Sequence, residues 1–265
     1  MYAFNYHQPD SVEAAVQAVS ANEDAKLLAG GMTLLPTMKQ RLAMPSDLID
    51  LSAIADLKGV RSEGDSLVLG AMTRHALVES DATVQSKIPA LAKLAGGIGD
   101  PQVRNCGTIG GSIANADPAA DYPAAVLGLG ATVKTNKREI AADNFFTALF
   151  ETALEPGELI VSVQFPIPEA AAYAKFDNPA SRYAVVGVMV AKTGGGLRVA
   201  VTGAGPKVFR HSEMEQALAG NFAPEALDGI STPADDLNSD IHASAEYRAH
   251  LVGVMAKRAV VAAKG

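Results

Sequence analysis

Two glycine pairs constrain this chain more than any other feature. The first lies in "LLAGGMTLL" (27–35), between a short apolar run and a stretch with helical spacing. The second lies in "GTIGGSIANADPAAD" (107–121). Glycine belongs where the backbone turns into regions closed to other residues, or where it must approach another group closely. Each pair is therefore either a tight turn or a corner whose N–H groups close on a phosphate beside a helix N-terminus. Neither is a P-loop, since no Lys-Ser/Thr follows, and neither is G-x-G-x-x-G; "GGIG" at 96–99 is a partial echo. Around the second pair, Thr108 and Ser112 offer hydroxyls, Asn115 an amide, and Asp117 and Asp121 carboxylates. Carboxylates suit ribose or ribitol hydroxyls, which donate to them. The alternative is a plain Asp117-Pro118 turn with Asp121 as a helix N-cap.

The bulk numbers bound the answer. With 265 residues, 48% of them hydrophobic, the chain can bury a real core, as one large domain or as two to three small lobes. The net charge of −7 comes without any basic block, which argues against nucleic acid as a main partner. The start, "MYAFNYHQPD", has neither the basic nor the apolar region of a signal peptide, and "AVVGVMVA" (184–191) is too short to span a bilayer. A soluble, cytoplasmic protein is expected. Cys106 is the single cysteine, so neither an internal disulfide nor a four-cysteine cluster can form. The five histidines have no metal-type spacing. Redox work in this chain would need an organic cofactor.

Periodicity predicts an α+β chain of short elements. Asp10 with Glu13 reads as a capping box ahead of Val12, Val16 and Val19. A strand at 26–29 follows; then Thr33 caps a helix carrying Leu34, Leu35, Met38 and Leu42 and ended by Pro45, and "DLIDLS" (47–52) is a further strand. From Ile54 to Pro168 brief strands ("SLVLGA", "ATVKT", "ELIVSVQFP") mix with helices ("KIPALAKLAGG", "DYPAAVLGL"). Beyond Ala172, two β runs flank Gly194-Gly195-Gly196 as a hairpin, followed by helices at "SEMEQALAG" and "SAEYRAHLVGVMAKRAVVAAK", the last with Leu251, Val254 and Met255 as its apolar face. Lobe boundaries near 52 and 170 divide the chain into 1–52, 53–170 and 171–265.

Taken together, "LLAGGMTLLPTMKQR" and "DPQVRNCGTIGGSIANADPAADYPAAVLGLGATV" resemble the FAD-binding medium subunit of the molybdenum hydroxylases, the family of bacterial carbon monoxide dehydrogenases and xanthine dehydrogenases. "LEPGELIVSVQFPIP" and "YAKFDNPASRYAVVGVMV" continue the resemblance, which covers about residues 1–215. It implies a three-lobed FAD-binding fold: an N-terminal α/β lobe, a middle α+β lobe, and a C-terminal antiparallel sheet with helices. It also implies that Leu28, Ala29, Gly30, Gly31, Met32, Thr33 and Leu34 wrap the FAD pyrophosphate with backbone amides. Gly107, Thr108, Ile109, Gly110, Gly111 and Ser112 would cradle it too and approach the flavin. Asp121 matches an aspartate that binds FAD hydroxyls, Ile160 an apolar cofactor contact, and Lys175 a lysine near the cofactor. Ile98 falls where some members place a residue against flavin or adenine, and Tyr183 matches an aromatic position by the isoalloxazine. Lys26, Gln102 and Asn115 are candidate contacts outside this matched set.

The implied role is electron relay. A large molybdenum-cofactor subunit oxidises substrate, a small subunit with [2Fe-2S] clusters passes electrons on, and FAD in this chain delivers them to a terminal acceptor. The expected assembly is a dimer of heterotrimers (a heterohexamer), with no catalytic side chain and no metal ligand here. Carbon monoxide, a purine, an aldehyde and an N-heterocycle all fit as substrate. A stand-alone FAD-dependent oxidoreductase and a FAD-less binding or assembly protein are the alternatives. Cys106 reads as a small packed residue and the histidines as surface or structural ones. His-Ser-Glu at 211–213 reads as a helix cap, and Arg104 and Arg182 as either salt-bridged or facing an anion. A bulky residue at Gly30 or Gly110 is expected to cost flavin occupancy before it costs folding.

Overall fold

In the computed structural model, which describes residues 1–264, the first fifty residues form a three-stranded parallel sheet. Its elements are β1 (Asn5–His7), α1 (Val12–Ser20), β2 (Lys26–Leu28), α2 (Leu34–Lys39) and β3 (Asp47–Asp50), and the sheet order is β1-β3-β2. Parallel neighbours need crossovers, which the two helices supply. The strand β1 was not readable from hydropathy because all three of its residues are exposed. Ser11, not Asp10, caps α1: its hydroxyl accepts from the Ala14 N–H at 3.3 Å, one residue later than the capping-box spacing suggested. Thr33 occupies the N-cap position of α2 but makes no capping bond, because its own backbone is already helical. That helix ends at Lys39, and the chain reverses through Arg41 in a left-handed conformation (φ 61°), leaving Leu42 76% exposed instead of on a helix face.

The middle of the chain builds a five-stranded antiparallel sheet under a cluster of short helices. β4 (Val60–Glu63) and β5 (Ser66–Gly70) lead into α3 (His75–Ser80), α4 (Ala82–Lys87), α5 (Pro89–Gly96), α6 (Pro101–Cys106), α7 (Ile109–Asn115) and α8 (Tyr122–Gly128). Then follow β6 (Thr132–Thr135), β7 (Glu139–Ala141), α9 (Ala142–Phe145), a hairpin of β8 (Phe146–Ala148) and β9 (Glu151–Thr152), and β10 (Ile160–Pro166). The sheet order is β4-β5-β10-β6-β7. The helices are short because capping residues crowd together. Asp81 accepts from the N–H groups of Thr83 and Val84, Asp100 accepts from Val103, and proline opens α5 and α6 where its missing N–H is harmless. Leu67, Leu69, Val133, Val163 and Phe165 of the sheet bury against Leu91, Ile109, Ile113 and Val126 of the helices.

The last third is a four-stranded antiparallel sheet, β11 (Ala170–Asp177), β12 (Ala184–Thr193), β13 (Gly196–Thr202) and β14 (Phe209–Arg210), in that order. Two helices, α10 (Ser212–Gly220) and α11 (Ala245–Ala263), cover one face. As read from the sequence, the glycine run turns the β12–β13 hairpin. The His211 ring caps α10, its Nδ1 accepting from Met214. β12 is an almost unbroken apolar run because both of its faces are covered. Val186, Val188 and Val190 pack with Met214, Leu251 and Met255, while Met189 and Ala191 belong to the core under the middle helices. Arg198 adds a polar tie, donating to Leu127 O at 2.8 Å and to both oxygens of Asp143.

Phe165 is fully buried on the central strand of the middle sheet, in the core shared with the helices above it. Phe165→Ala should lower the unfolding free energy by about 3–5 kcal/mol, read from urea midpoints at unchanged m-value. A loss below 1 kcal/mol would mean that the middle sheet is not packed as described.

Candidate functional site: a cleft walled by two glycine corners

The two corners touch. A Cβ on Gly30 would collide with the carbonyl oxygen of Cys106 and lie 2.8 Å from Gly107 Cα, and a Cβ on Gly111 would lie 3.2 Å from that of Ala29. The N-terminal sheet and the middle helices thus meet backbone to backbone. Beside that contact opens a cleft of about 680 Å³, lined by both corners and by residues from α6, α7, the loops that flank them, β10 and the β11–β12 loop.

The corners contribute unequally. The N–H groups of Gly30, Gly31, Met32, Thr33 and Leu34 find no acceptor among the described residues, so five consecutive donors are left over at the first corner. The second corner uses its own donors internally. Ile109 N–H bonds to Thr73 O, Gly110 to Ala71 O at 2.8 Å, Gly111 to the Thr108 hydroxyl and Ser112 to Thr108 O. It presents small walls, the Ser112 hydroxyl and the Asn115 amide to the cleft. The corners thus differ in their free amides: those at 30–34 are unbonded among the described residues, whereas Ile109, Gly110, Gly111 and Ser112 spend theirs within the protein and clamp the second corner just beyond the end of β5.

Asp121 is the charged centre of the site. It starts α8 but makes no capping bond, contrary to the N-cap alternative. Instead it accepts from the Tyr173 hydroxyl at 2.5 Å and from Lys175 Nζ at 3.2 Å. Burial pushes its carboxyl up to about 6, against the pull of the Lys175 charge and the Tyr173 hydrogen bond. Burial also raises Asp117, whose Oδ1 accepts from Ala119 in an Asx turn. Glu158, at the cleft edge, is drawn up by burial but held at about 2 by hydrogen bonds from Arg138, Thr135 and the Glu155 N–H. His75, buried under Gly107, is pushed down to about 4 by burial and by Arg104, and its imidazole is neutral. Among the described residues, His75 Nδ1 and the Tyr122 hydroxyl have no hydrogen-bond partner.

The predicted residues fall as follows. Ala29, Gly30, Gly31, Met32, Thr33, Leu34, Ile98, Gly107, Thr108, Gly110, Gly111, Ser112, Asp121, Ile160 and Tyr183 all line the cleft, as do Lys26 and Asn115. Leu28, Ile109, Lys175 and Gln102 do not. Leu28 turns under Gly31, Ile109 is wholly buried in the core, Gln102 is exposed on α6, and Lys175 stands behind Asp121. Cys106 is exposed rather than packed, with only its carbonyl against Gly30. Arg104 pairs with Glu79, and Arg182 lines the cleft. Sequence reasoning missed His75, Glu158 and Phe150. Phe150 is an exposed phenylalanine with left-handed backbone (φ 55°) in the β8–β9 turn. Only "LEPGELI" hinted at Glu158; nothing in the local pattern marked the other two.

These packing and charge relations predict two outcomes. A Cβ on Gly110 would lie 2.6 Å from that of Ala71 and 2.7 Å from its carbonyl oxygen, so the reading that Gly110 guards ligand space alone is revised. Gly110→Val should destabilise the ligand-free protein by about 1–3 kcal/mol, while Ser112→Ala stays within about 0.5 kcal/mol; equal urea midpoints for the two variants would refute the clamp. The second outcome concerns pH. His75 falls from 6.5 to about 4 on folding, so the unfolded chain binds the extra proton and stability drops as pH falls from 6.5 to 4. Asp121 rises from 3.8 to about 6, so stability drops as pH rises across 4 to 6, opposing His75 in the same window. His75→Phe removes the first effect alone. Relative to wild type it should gain roughly 2–3 kcal/mol between pH 7 and pH 4.5, and superimposable acid limbs would show that His75 protonates freely in the folded state.

Comparison with known proteins identifies the family. Residues 2–168 match the family described as FAD binding domain in molybdopterin dehydrogenase, and residues 171–263 match the CO dehydrogenase flavoprotein C-terminal domain. The carbon monoxide dehydrogenase medium chain of Hydrogenophaga pseudoflava is 38% identical over 98% of this chain and 96% of its own length. The nicotine 6-hydroxylase medium subunit of Paenarthrobacter nicotinovorans is 36% identical over 98% of this chain and 97% of its own. A solved structure of reconstituted CO dehydrogenase from Oligotropha carboxidovorans superposes with a TM-score of 0.90 at 36% identity, covering 99% of this chain and 98% of that one. With both of its halves matched and its full length shared, the chain belongs to the FAD-binding medium-subunit family of the molybdopterin dehydrogenases, of carbon monoxide dehydrogenase type.

Proposed function

We propose that this chain is the FAD-carrying electron-transfer subunit of a molybdenum hydroxylase complex, built of lobes 1–52, 53–170 and 171–265. The observation that carries the reading is the row of five unpaired amides at 30–34, in the same cleft as the buried carboxylate of Asp121. Amides of this kind suit an anion and Asp121 suits hydroxyl donors, and a flavin dinucleotide has both: a diphosphate and polyol chains. In this reading Gly30, Gly31, Met32, Thr33 and Leu34 donate to the diphosphate, and Asp121 accepts from ribityl or ribose hydroxyls. Ile98, Ile160 and Tyr183 supply apolar and aromatic contact to the ring systems, and Ser112 and Asn115 supply side-chain polar contacts. FAD supplies the capacity to take up electrons singly and release them singly or in pairs. The chain contributes binding, orientation and exclusion of water.

Cys106 alone cannot ligate an iron–sulfur cluster; in this reading, as membership of the family implies, electrons reach the cleft from a small subunit that carries such clusters. Substrate oxidation belongs to a large molybdenum-cofactor subunit, and the assembly is a dimer of heterotrimers in the cytoplasm. The medium-chain names of the full-length relatives support this division of labour. The test is a comparison of flavins on the deflavinated protein by fluorescence quenching. Because charge-assisted hydrogen bonds contribute about 1.5–3 kcal/mol each, FAD should bind at least about 100-fold more tightly than riboflavin. Equal affinity for the two, or no flavin released from the purified protein on denaturation, would end the proposal. Affinity purification of the tagged chain should also bring down a large and a small partner chain.

A further inference from the structure

Tyr173 and Lys175, two residues apart on β11, point to the same carboxylate without lining the cleft themselves. Lys175 is fully engaged. It donates to the carbonyls of Gly97 and Arg182, each at 2.8 Å, and stands 3.2 Å from both Asp121 oxygens. Tyr173 makes a single polar contact, in which its buried hydroxyl, 2.5 Å from Asp121 Oδ1, donates to that oxygen. Room for it is made by Gly187 on the adjacent strand, where a Cβ would run into that hydroxyl and lie 2.8 Å from Cζ. Gly187 has ordinary strand backbone, so it serves clearance and no turn; the Tyr173 hydroxyl is its nearest neighbour, with Thr202 Cγ2 next at 3.0 Å from the same Cβ position. A carboxylate has about four lone-pair directions. Tyr173 and Lys175 occupy part of that capacity from behind, and the remainder is available to donors in the cleft.

We propose that Tyr173, with Gly187 keeping its hydroxyl in place, is a positioning residue that holds Asp121 ionised and open to hydroxyl donors of the bound ligand. This rests on the reading of the cleft as a FAD site. Burial drives Asp121 toward its protonated form, and Asp177 on β11 adds to that drive; Lys175 and Tyr173 oppose it. Around them stand Tyr122, next to Asp121 on α8 and facing His75 and Glu79, Tyr183 on the β11–β12 loop with Asp117 beside it, and Arg182, which lines the same cleft and whose carbonyl accepts from Lys175. The Tyr173 phenol is itself pushed well above its usual range by burial and by Asp121, so the proton stays on the tyrosine and the hydrogen bond runs toward the carboxylate. Removing the hydroxyl takes away one of two supports for the charge. Asp121 then takes up a proton at higher pH, and a protonated carboxyl offers the ligand less acceptor capacity.

The experiment measures FAD affinity of the deflavinated protein from pH 5.5 to 9 for wild type, Tyr173→Phe and Gly187→Ala. In parallel, the Asp121 carboxyl is titrated by ¹³C NMR without flavin. Tyr173→Phe should bind FAD within about threefold of wild type at pH 9 and about tenfold or more weaker at pH 6.5, with the carboxyl midpoint moved upward. Gly187→Ala, which displaces the hydroxyl while keeping the tyrosine, should shift both profiles in the same direction and stands in should Tyr173→Phe not fold. Loss of affinity equal at all pH values, with an unmoved carboxyl midpoint, would show that Tyr173 only packs and would overturn the proposal. A wild-type protein that binds no FAD overturns the cofactor reading, and is told apart by the midpoint, which is measured without flavin.

Discussion

One contact between two peptide segments sets the geometry of the whole site: Gly30 against the carbonyl of Cys106 and the Cα of Gly107. No side chain fits between them. The contact brings a three-stranded parallel sheet, whose own core is small, onto the larger body of helices around the middle sheet. Because it is made by backbone, the first corner's amides keep a fixed position relative to Asp121. The cleft is therefore formed by the packing itself, with its unbonded amides and the Asp121 carboxylate already facing one space. Preorganisation of this kind removes much of the ordering cost that binding a long, flexible ligand would otherwise carry.

The electrostatics follow the same economy. Buried charges are costly unless paired and hydrogen-bonded, and each one near the cleft has a dedicated partner set. Asp121 has Tyr173 and Lys175; Glu158 has Arg138, Thr135 and the Glu155 N–H; Arg104 has Glu79 and the carbonyls of Ile98 and Gly99. His75, lying deeper, is neutral instead. A cationic imidazole under Gly107 would add positive charge close to Arg104, and burial makes the uncharged form the stable one.

What was legible in the sequence was the local chemistry. Gly/Pro punctuation marked the short elements of the middle region, and the apolar run at 184–191 fell in one of the two β runs expected around the glycine turn; that both of its faces are covered was seen only in the fold. The two glycine corners marked the walls of the cleft. What was not legible depended on partners distant along the chain. Asp121 looks like an N-cap until Tyr173, 52 residues later, is seen to claim its oxygen. The second corner looks like a row of free amides until Ala71 and Thr73 are seen to accept from it. Ser11 and Asp10 are both good caps, and only the register of α1 separates them. His75 and Phe150 carry no pattern of their own, since their place in the cleft comes from the tertiary path of α3 and of the β8–β9 turn.

The alternation along β12 has a consequence for how the chain can be divided. Val188 and Val190 face the C-terminal helices, whereas Met189 and Ala191 complete the core beneath the middle ones. A cut between β10 and β11 falls in a short connection, yet it would leave neither fragment with a finished interior. The upstream piece would lose the lid over α8, and the downstream piece would carry a bare apolar sheet face. Lys175 and Tyr173 would leave with the downstream piece, stranding Asp121 without its supports. The two portions share one interior, and the last third forms the rear wall of the cleft through Tyr173 and Lys175, so a gene fragment encoding only the first two-thirds would yield a chain with exposed apolar surface and an unsupported Asp121.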